Sequence, residues 1–156
     1  MKRWILLLLA VALCFSGCDQ KKEKKSPEVT YTATFSMYIT SRTSEQLGYS
    51  SSDQATSQRL VVTCEYIIKS DVVLDQVAAQ IGREDLDANA LRDMIQAESS
   101  DAAEVLHVRV THREKKLALE IAQALAEVAP GALMEIVSGS SVKLLDMPRQ
   151  AVRNKG

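Results

Sequence analysis

The sequence predicts an α+β fold in which a mixed four-stranded sheet carries helices packed on one face. Segments with a two-residue apolar alternation predict strands, and segments with apolar residues at helical spacing predict the helices between them. Apolar residues make up 46% of the chain and charged residues 25%, which is the balance of a globular domain and not of a disordered chain.

The folded part is predicted to begin with a strand over residues 29–40, where apolar and polar side chains alternate. A serine-rich loop follows over 41–52. Asp53 is then expected to begin a helix that reaches about Lys69. The apolar residues of this helix recur at helical spacing: Leu60, Val61, Cys64, Ile67 and Ile68.

A second helix is predicted directly after the first. Ser70 is suited to cap it, Asp71 favours its first turn, and an apolar face continues at helical spacing. Gly82 then ends this helix, because glycine readily takes the conformation required just after a helix C-terminus. Asp87 is expected to open another short turn through Leu91.

The second half of the domain is predicted to contain a hairpin and a long helix. The hairpin strands cover residues 94–98 and 105–111, and the helix covers about 113–137. Pro130 lacks a backbone donor and its ring clashes with the preceding turn, so we expect a kink or break near Ala129.

A last strand over residues 142–146 completes the order β-α-α-β-β-α-β. Its connection through the long helix requires a right-handed parallel crossover, whereas the hairpin is antiparallel. We therefore expect a mixed sheet and a broadly ferredoxin-like fold. The domain is expected to cover residues 29–148, and residues 149–156 are predicted to be a polar C-terminal tail.

Residues 1–17 are predicted to be an export signal outside the fold. The twelve apolar residues at 4–15 are too few to span a bilayer. Ser16-Gly17-Cys18 resembles the lipobox of bacterial lipoproteins, although Phe15 stands where leucine is usual. The resemblance implies cleavage before Cys18 and an acyl chain such as palmitate on its thiol. Cys14 is a poorer candidate, and an ordinary secretory signal or an uncleaved anchor are the alternatives.

Residues 18–28 are predicted to be a lipid-anchored, charged tether interrupted by Pro27. Its ten residues after Cys18 reach at most about 35 Å when extended, so the domain is expected to lie close to the membrane. The four lysines of the tether either contact anionic lipid headgroups or belong to a solvated linker.

The composition excludes several classes of protein. With Cys14 removed and Cys18 acylated, Cys64 stands alone, so no internal disulfide is expected. Cys64 is interpreted as a small buried apolar residue on a helix and not as a reactive thiol. The net charge of -1 argues against binding to nucleic acid.

No motif predicts catalysis, a cofactor or a metal site. His107 and His112 are five residues apart on a predicted strand, so their side chains point to opposite faces and cannot share a metal ion. Glu114 and Glu120 lie on a charged helix face, and no phosphate-binding loop or nucleophile elbow is present. We expect the protein not to be an enzyme, although a carboxylate pair could still assemble in space.

Several segments share the order and spacing of a known family. The first, over residues 57–77, contains these residues in order: Leu60, Thr63-Cys64, Ile67-Ile68-Lys69-Ser70 and Val73-Leu74-Asp75-Gln76-Val77. The further matching segments are 91–97, 105–111, 118–125 and 141–148. Together they resemble the polysaccharide chain-length determinants, also called polysaccharide co-polymerases or Wzz-type proteins. Cys64 takes the place of the tyrosine that is usual there.

The resemblance implies a membrane-proximal, extracytoplasmic domain without enzymatic activity of its own. Such domains assemble side by side and set the length of surface polysaccharides made by a membrane polymerase. Family members usually cross the membrane twice, whereas here an export signal and lipobox replace the first span. Residues 149–156 are too polar to form the second.

We therefore expect an accessory or modulatory protein, lipid-anchored through Cys18 at the extracytoplasmic face of the plasma membrane. The expected partners are other copies of the chain or two-span relatives, with a polysaccharide polymerase as a further candidate. Two alternatives remain open at this point: a lipid-anchored module that binds a glycan or small molecule, and a structural envelope lipoprotein.

Overall fold

The computed structural model describes residues 29–42, 51–100 and 103–154, in which one sheet carries its helices on one face. The strands are β1 (Tyr31–Ser41), β2 (Ile95–Ser99), β3 (Val105–His112), β4 (Ser140–Asp146) and β5 (Ala151–Arg153). The helices are α1 (Ser51–Ile67), α2 (Asp71–Ile81), α3 (Ala88–Met94) and α4 (Lys115–Ile136). The predicted α+β class is therefore confirmed.

The sheet differs from the expected one in strand number and direction. Its order is β2-β3-β1-β4, and β5 pairs with the first residues of β1, so five strands take part among the described residues. Every hydrogen-bonded pair is antiparallel, so the sheet is not mixed. The expected crossover through α4 does join two strands that run in the same direction, β3 and β4. These strands lie on opposite sides of β1 and never become neighbours.

β1 forms the centre of the sheet because it buries a complete row of side chains. Phe35, Met37 and Ile39 alternate with polar residues, and all three are almost fully buried. The partner strands β3 and β4 add further apolar residues to the same face, where α1 and α4 cover them. These residues are Leu106, Val108, Val110 and Val142. The core is therefore aliphatic, as the low aromatic content of 4% requires.

α4 provides the largest apolar surface of the helical layer. Ile121 and Leu125 are fully buried, as the helical spacing predicts. Of the kink or break expected near Ala129, the break is wrong, because the helix continues through Pro130 to Ile136. Proline removes one backbone hydrogen bond, but the surrounding turns bury Ala129 and Leu133 against the core, and this packing keeps the helix continuous.

Within the described ranges, α4 alone is long and apolar enough to cross a membrane by length and composition. More than half of its most apolar window, 56%, is buried inside the domain. The core helix of a soluble domain satisfies the same criterion, so this property is weak support for a membrane span.

The shorter helices begin and end at the residues that the sequence predicts as caps, with two differences. Gly82 ends α2 with a φ of 69°, and its N–H donates to the carbonyl oxygen of Ala78 at 2.8 Å. Ser70 lies at the start of α2 but its side chain makes no capping hydrogen bond. Asp87 does cap, since its carboxylate accepts from the N–H of Ala90 at 2.7 Å. The expected short turn there is the seven-residue helix α3.

The predicted C-terminal tail partly belongs to the sheet. Ala151–Arg153 form β5 and pair antiparallel with β1, so the domain continues beyond residue 148 to Asn154. Asn154 N–H donates to the carbonyl oxygen of Thr30 at 2.9 Å, and its side-chain amide donates to the Thr30 hydroxyl at 2.7 Å. Polar composition concealed this strand, because only Ala151 of its three residues is buried.

Candidate functional site

The face of the sheet opposite the helices is polar and accessible. In the central strands the residues that alternate with the buried ones point to this side, which we call the open face. Its residues on β1, β3 and β2 include Thr32, Thr34, Ser36, His107, Arg109, Thr111, Gln96 and Glu98. A sheet with one covered and one solvated face normally has this division of residue types.

A shallow depression of about 240 Å³ lies on the open face. Its polar lining comes from three strands: Thr34, Ser36, His107, Arg109 and Asp146. No Phe, Tyr or Trp ring contributes from the solvent side, because the Phe35 side chain is buried in the core, and the imidazole of His107 is the one ring of the lining that is exposed. The depression is therefore suited mainly to hydroxyl or charged groups.

Asp146 is held at the edge of this depression by Ser36. One oxygen of the Asp146 carboxylate accepts from the Ser36 N–H at 2.7 Å and from the Ser36 hydroxyl at 2.5 Å. The β1–β4 register shifts between Ser36 and Met37, so the end of β4 departs from regular pairing there. The hydrogen bonds thus fasten the irregular end of β4 to the central strand.

Ser36, His107 and Asp146 contain the residue types of a catalytic triad but not its connections. In a triad the serine hydroxyl donates to histidine, and the carboxylate orients that histidine. Here the Ser36 hydroxyl donates to Asp146, and His107 faces Ser36 from the other neighbouring strand. Asp146 is therefore on the wrong side of the serine to orient the imidazole.

The carboxylates of the open face are too far apart to act as an acid/base pair. Glu98 lies on β2 and Asp146 on β4, and β3 and β1 lie between them. Three strand spacings separate them by about 14 Å, whereas the carboxylates of glycoside hydrolases lie within about 5–9.5 Å. Glu98 is instead paired with Arg109 across β2 and β3.

The two histidines have separate environments. His107 is exposed on the open face, whereas the Nδ1 atom of His112 accepts from the N–H of Glu114 at 3.0 Å in the turn before α4. Among the described residues, no three His, Cys, Asp or Glu side chains are grouped closely enough to hold a metal ion. The two imidazoles therefore lie in different parts of the domain, one on the open face and one in the turn before α4.

Cys64 is buried in the core between α1 and the sheet and has no exposed surface. Burial in apolar surroundings disfavours the thiolate and raises the pKa of the Cys64 thiol to about 11. A nucleophilic cysteine needs a lowered pKa and access to solvent. The structure therefore agrees with the interpretation of Cys64 as a small apolar residue.

Cys18, the predicted lipidation site, lies outside the described residues, as do the export signal and the tether up to residue 28. The position of β1 in the sheet nevertheless defines where the tether joins the domain. Tyr31 pairs with His112 on one side and with Arg153 on the other, so the start of β1 and the ends of β3 and β5 form one row. We call this row, with Thr30 and Asn154, the terminal edge of the sheet.

The terminal edge carries a group of exposed cations. Arg113, Lys115 and Lys116 follow β3 directly, and Arg153 ends β5. The first turn of α4 contains no acidic residue, and Glu114 at its N-cap makes no side-chain capping bond. Cations near a helix N-terminus oppose the helix dipole, typically by about 0.3–1 kcal/mol each.

Acidic groups are also present near this edge. Arg83 donates from Nε and Nη2 to the two carboxylate oxygens of Asp85 at 3.0 and 2.8 Å, and this pairing lowers the pKa of Asp85. The pair neutralises itself, which leaves Glu84, Glu114 and Glu120 as three carboxylates against the four cations. The terminal edge is therefore basic as a whole.

The sequence predicts four of the five strands in the described part of the chain but neither the depression on the open face nor the terminal edge. The polar alternation of β1 and β3 was visible, and it predicts a solvated face. The approach of Asp146 to Ser36 depends on the β1–β4 register, and the terminal edge depends on the pairing of β5 with β1. The charge run at 113–116 was the one signal available beforehand.

No family model and no curated protein sequence matches this chain. Among solved structures, the domain is similar to the crystal structure of a C-terminal segment of the alpha subunit of aIF2 from Pyrococcus abyssi. The TM-score is 0.38 and the sequence identity 12%, over 78% of this chain and 52% of that one. The chain thus spans about half the length of that structure. A TM-score this low transfers neither a detailed fold nor an activity.

Proposed function

We propose that this protein is a non-enzymatic, lipid-anchored extracytoplasmic domain that modulates surface polysaccharide assembly or chain length, in the manner of the Wzz-type family. The domain is tied to the membrane through Cys18. It acts by lateral association with other copies of itself or with two-span relatives. A polysaccharide polymerase is the further partner that this function requires.

The observation that supports this proposal most is the position of the two ends of the domain. Thr30, at the entry to β1, is hydrogen-bonded to Asn154, just after β5. Two-span members of the Wzz-type family hold such a domain between two membrane segments, which requires both ends on one side, and this domain has that arrangement although only its N-terminal segment is expected to be anchored. The Wzz-type resemblance of residues 57–77, 118–125 and 141–148 leads to the same expectation from the sequence.

The lipid anchor is tested by comparing two cysteines of the signal region. Mass spectrometry of the membrane fraction should detect an acylated N-terminal Cys18 in the unmodified protein and in the Cys14→Ser variant. The Cys18→Ser variant should lack the modification. Acylation that persists in Cys18→Ser, or is lost in Cys14→Ser, contradicts the anchor.

The function is tested by polysaccharide length in cells. Deleting the gene should change the length distribution of a surface polysaccharide on gels, and the unmodified gene should restore it. The Cys14→Ser gene should restore it as well, whereas Cys18→Ser should not. An unchanged distribution after deletion contradicts the proposed role.

Lateral association is tested with the lipidated protein in vesicles. A lipid tether confines all copies to one plane, which raises their effective concentration without new contacts. Crosslinking should therefore give dimers or larger species at high surface density, alone or with a two-span relative. If the protein stays monomeric under both conditions, the co-polymerase-like function loses its support.

A glycan- or small-molecule-binding module is the second candidate, and the polar depression at Ser36, His107 and Arg109 favours it. This candidate predicts saturable binding of a soluble glycan that the Arg109→Ala variant weakens. The lack of an exposed Phe, Tyr or Trp side chain in the lining makes it the weaker of the two. A purely structural envelope lipoprotein predicts neither glycan binding nor a change in polysaccharide length.

A further inference from the structure

We propose that the basic part of the terminal edge, formed by Arg113, Lys115, Lys116 and Arg153, is a docking surface for anionic lipid headgroups. The terminal edge would then face the bilayer, and β1 would run from this edge away from the membrane. The inference rests on the lipid anchor of the proposed function, and it adds a second, electrostatic contact that fixes the orientation of the domain.

The first argument is position. The chain that leads from Cys18 enters the domain at Val29, next to Tyr31. Tyr31 lies one strand spacing from His112 on one side and from Arg153 on the other, so Arg113 and Arg153 flank the tether attachment within about 10 Å. Lys115 and Lys116 follow Arg113 at the start of α4. A tether of ten residues therefore brings this edge, before any other part of the domain, to the bilayer surface.

The second argument is charge complementarity. From residue 29 to residue 154 the chain has twelve Lys and Arg against seventeen Asp and Glu, so the domain as a whole is acidic. The terminal edge differs in sign, because its four cations outnumber the nearby carboxylates Glu84, Glu114 and Glu120, and the Arg83–Asp85 pair is neutral as a whole. An anionic surface attracts this edge and repels the remainder, which orients the domain.

The third argument is a conflict between local sequence and local structure. Lys115 and Lys116 occupy the first turn of α4, where the helix dipole disfavours cations and where acidic residues are usual. Residues that are unfavourable for their local secondary structure and gain no compensating contact in the domain are often retained for function. Anionic headgroups supply that compensation, and each lysine near such a surface strengthens binding about fivefold.

The orientation is tested with a single tryptophan as a fluorescent probe. The one native tryptophan, Trp4, lies in the predicted signal and is removed with it. Val152→Trp places an indole at the terminal edge, and Leu145→Trp places one about 17 Å farther along β1. The two native side chains have similar exposure, 59% and 56%, so the probes are matched.

The full lipidated protein is reconstituted in vesicles that contain a headgroup-labelled quencher. With about 30% phosphatidylglycerol, the Val152→Trp probe should be quenched and the Leu145→Trp probe should not. The difference should disappear in phosphatidylcholine alone and at about 0.5 M salt, where the Debye length is only a few ångströms. Equal quenching of both probes, or quenching that is independent of lipid charge, overturns the proposal.

Two double variants test which charges matter. Lys115→Gln with Lys116→Gln should lower the ratio of docked to undocked protein by about tenfold or more. Arg59→Gln with Lys143→Gln removes the same charge from exposed positions elsewhere and should leave the ratio unchanged. An equal effect of both pairs overturns the proposal, because it assigns docking to net charge and not to the terminal edge.

Mass spectrometry of the same samples separates this inference from the anchor. If Cys18 is not acylated, the anchor is wrong, but the comparison of vesicle compositions still measures attraction through the terminal edge. If Cys18 is acylated but the quenching of the Val152→Trp probe does not depend on lipid charge, the anchor is supported and the proposed docking surface is wrong.

Discussion

The two faces of the sheet place neighbouring residues of one strand in opposite environments. Along β1, Phe35 and Met37 are buried beneath the helices, whereas Thr34 and Ser36 lie on the open face. The covered face gains its free energy from apolar surface removed from water, and the open face exchanges water contacts for weak polar ones. We therefore expect the stability of the domain to depend mainly on the covered face, which leaves the open face and the terminal edge available for contacts.

The largest effect is expected from a truncation on the covered face. Ile121→Ala should lower the free energy of unfolding by about 2–5 kcal/mol, because the side chain is fully buried and its removal leaves a cavity. Thr34→Ala on the open face is the matched control and should cost less than about 1 kcal/mol. Urea denaturation measures both. A loss of less than about 0.5 kcal/mol for Ile121→Ala would mean that α4 packs through another face.

The thiol of Cys64 gives a second test of the covered face. With a pKa of about 11 instead of 9.0, its thiolate fraction at pH 8 is about a hundredfold lower than that of an ordinary cysteine. Alkylation should be slowed by at least this factor in the folded protein and should become rapid in denaturant. A Thr34→Cys thiol on the open face should react at the ordinary rate. Rapid modification of Cys64 in the folded protein would show that α1 opens readily.

The raised pKa of the Cys64 thiol also predicts how the free energy of unfolding changes at alkaline pH. The folded protein holds the Cys64 proton more tightly than the unfolded chain, whose thiol ionises near pH 9.0. The contribution of this group is therefore complete below about pH 9 and is lost as the pH rises towards about 11. Cys64→Ala should remove this part of the pH dependence when unfolding is followed from pH 8 to 11.

The helix ends test whether a polar residue stabilises the domain only when it is bonded. Asp87→Ala should cost about 1 kcal/mol, because its carboxylate accepts from the Ala90 N–H. Ser70 has the same position on α2, but its hydroxyl is buried and makes no hydrogen bond within the described residues. Ser70→Ala should therefore cost much less and could increase stability. Equal losses in thermal denaturation would contradict this difference.

The covered face was predictable from the sequence and the open face largely was not. Apolar periodicity identified Ile121 and Leu125 because burial requires a repeating pattern in the chain. The same pattern predicts that Ile67 is buried as well, but the structure buries Ile67 only partly and its neighbour Ile68 fully. Helix rotation is fixed by contacts with other elements, and periodicity alone does not decide between adjacent residues.

Two of the errors in the fold prediction have the same physical origin. Pro130 predicts a break from local sterics, but the packing of α4 against the sheet outweighs the loss of one hydrogen bond. β5 has too few apolar residues to be recognised, and its backbone pairing with β1 determines its conformation. Both outcomes depend on long-range contacts, as do the terminal edge and the Ser36–Asp146 contact.

The smallest effect is expected from the ion pair between Glu98 and Arg109 on the open face. Their side chains remain 61% and 42% exposed, so water screens the attraction, and surface pairs contribute about 0–1 kcal/mol. A double-mutant cycle with Glu98→Gln and Arg109→Gln should give a coupling energy below about 1 kcal/mol that decreases with added salt. The Arg83–Asp85 pair, also exposed, is a matched control and should behave in the same way. A coupling above about 2 kcal/mol for Glu98 and Arg109 alone would mean that the open face is covered in solution, and the contrast between the two faces would then no longer hold.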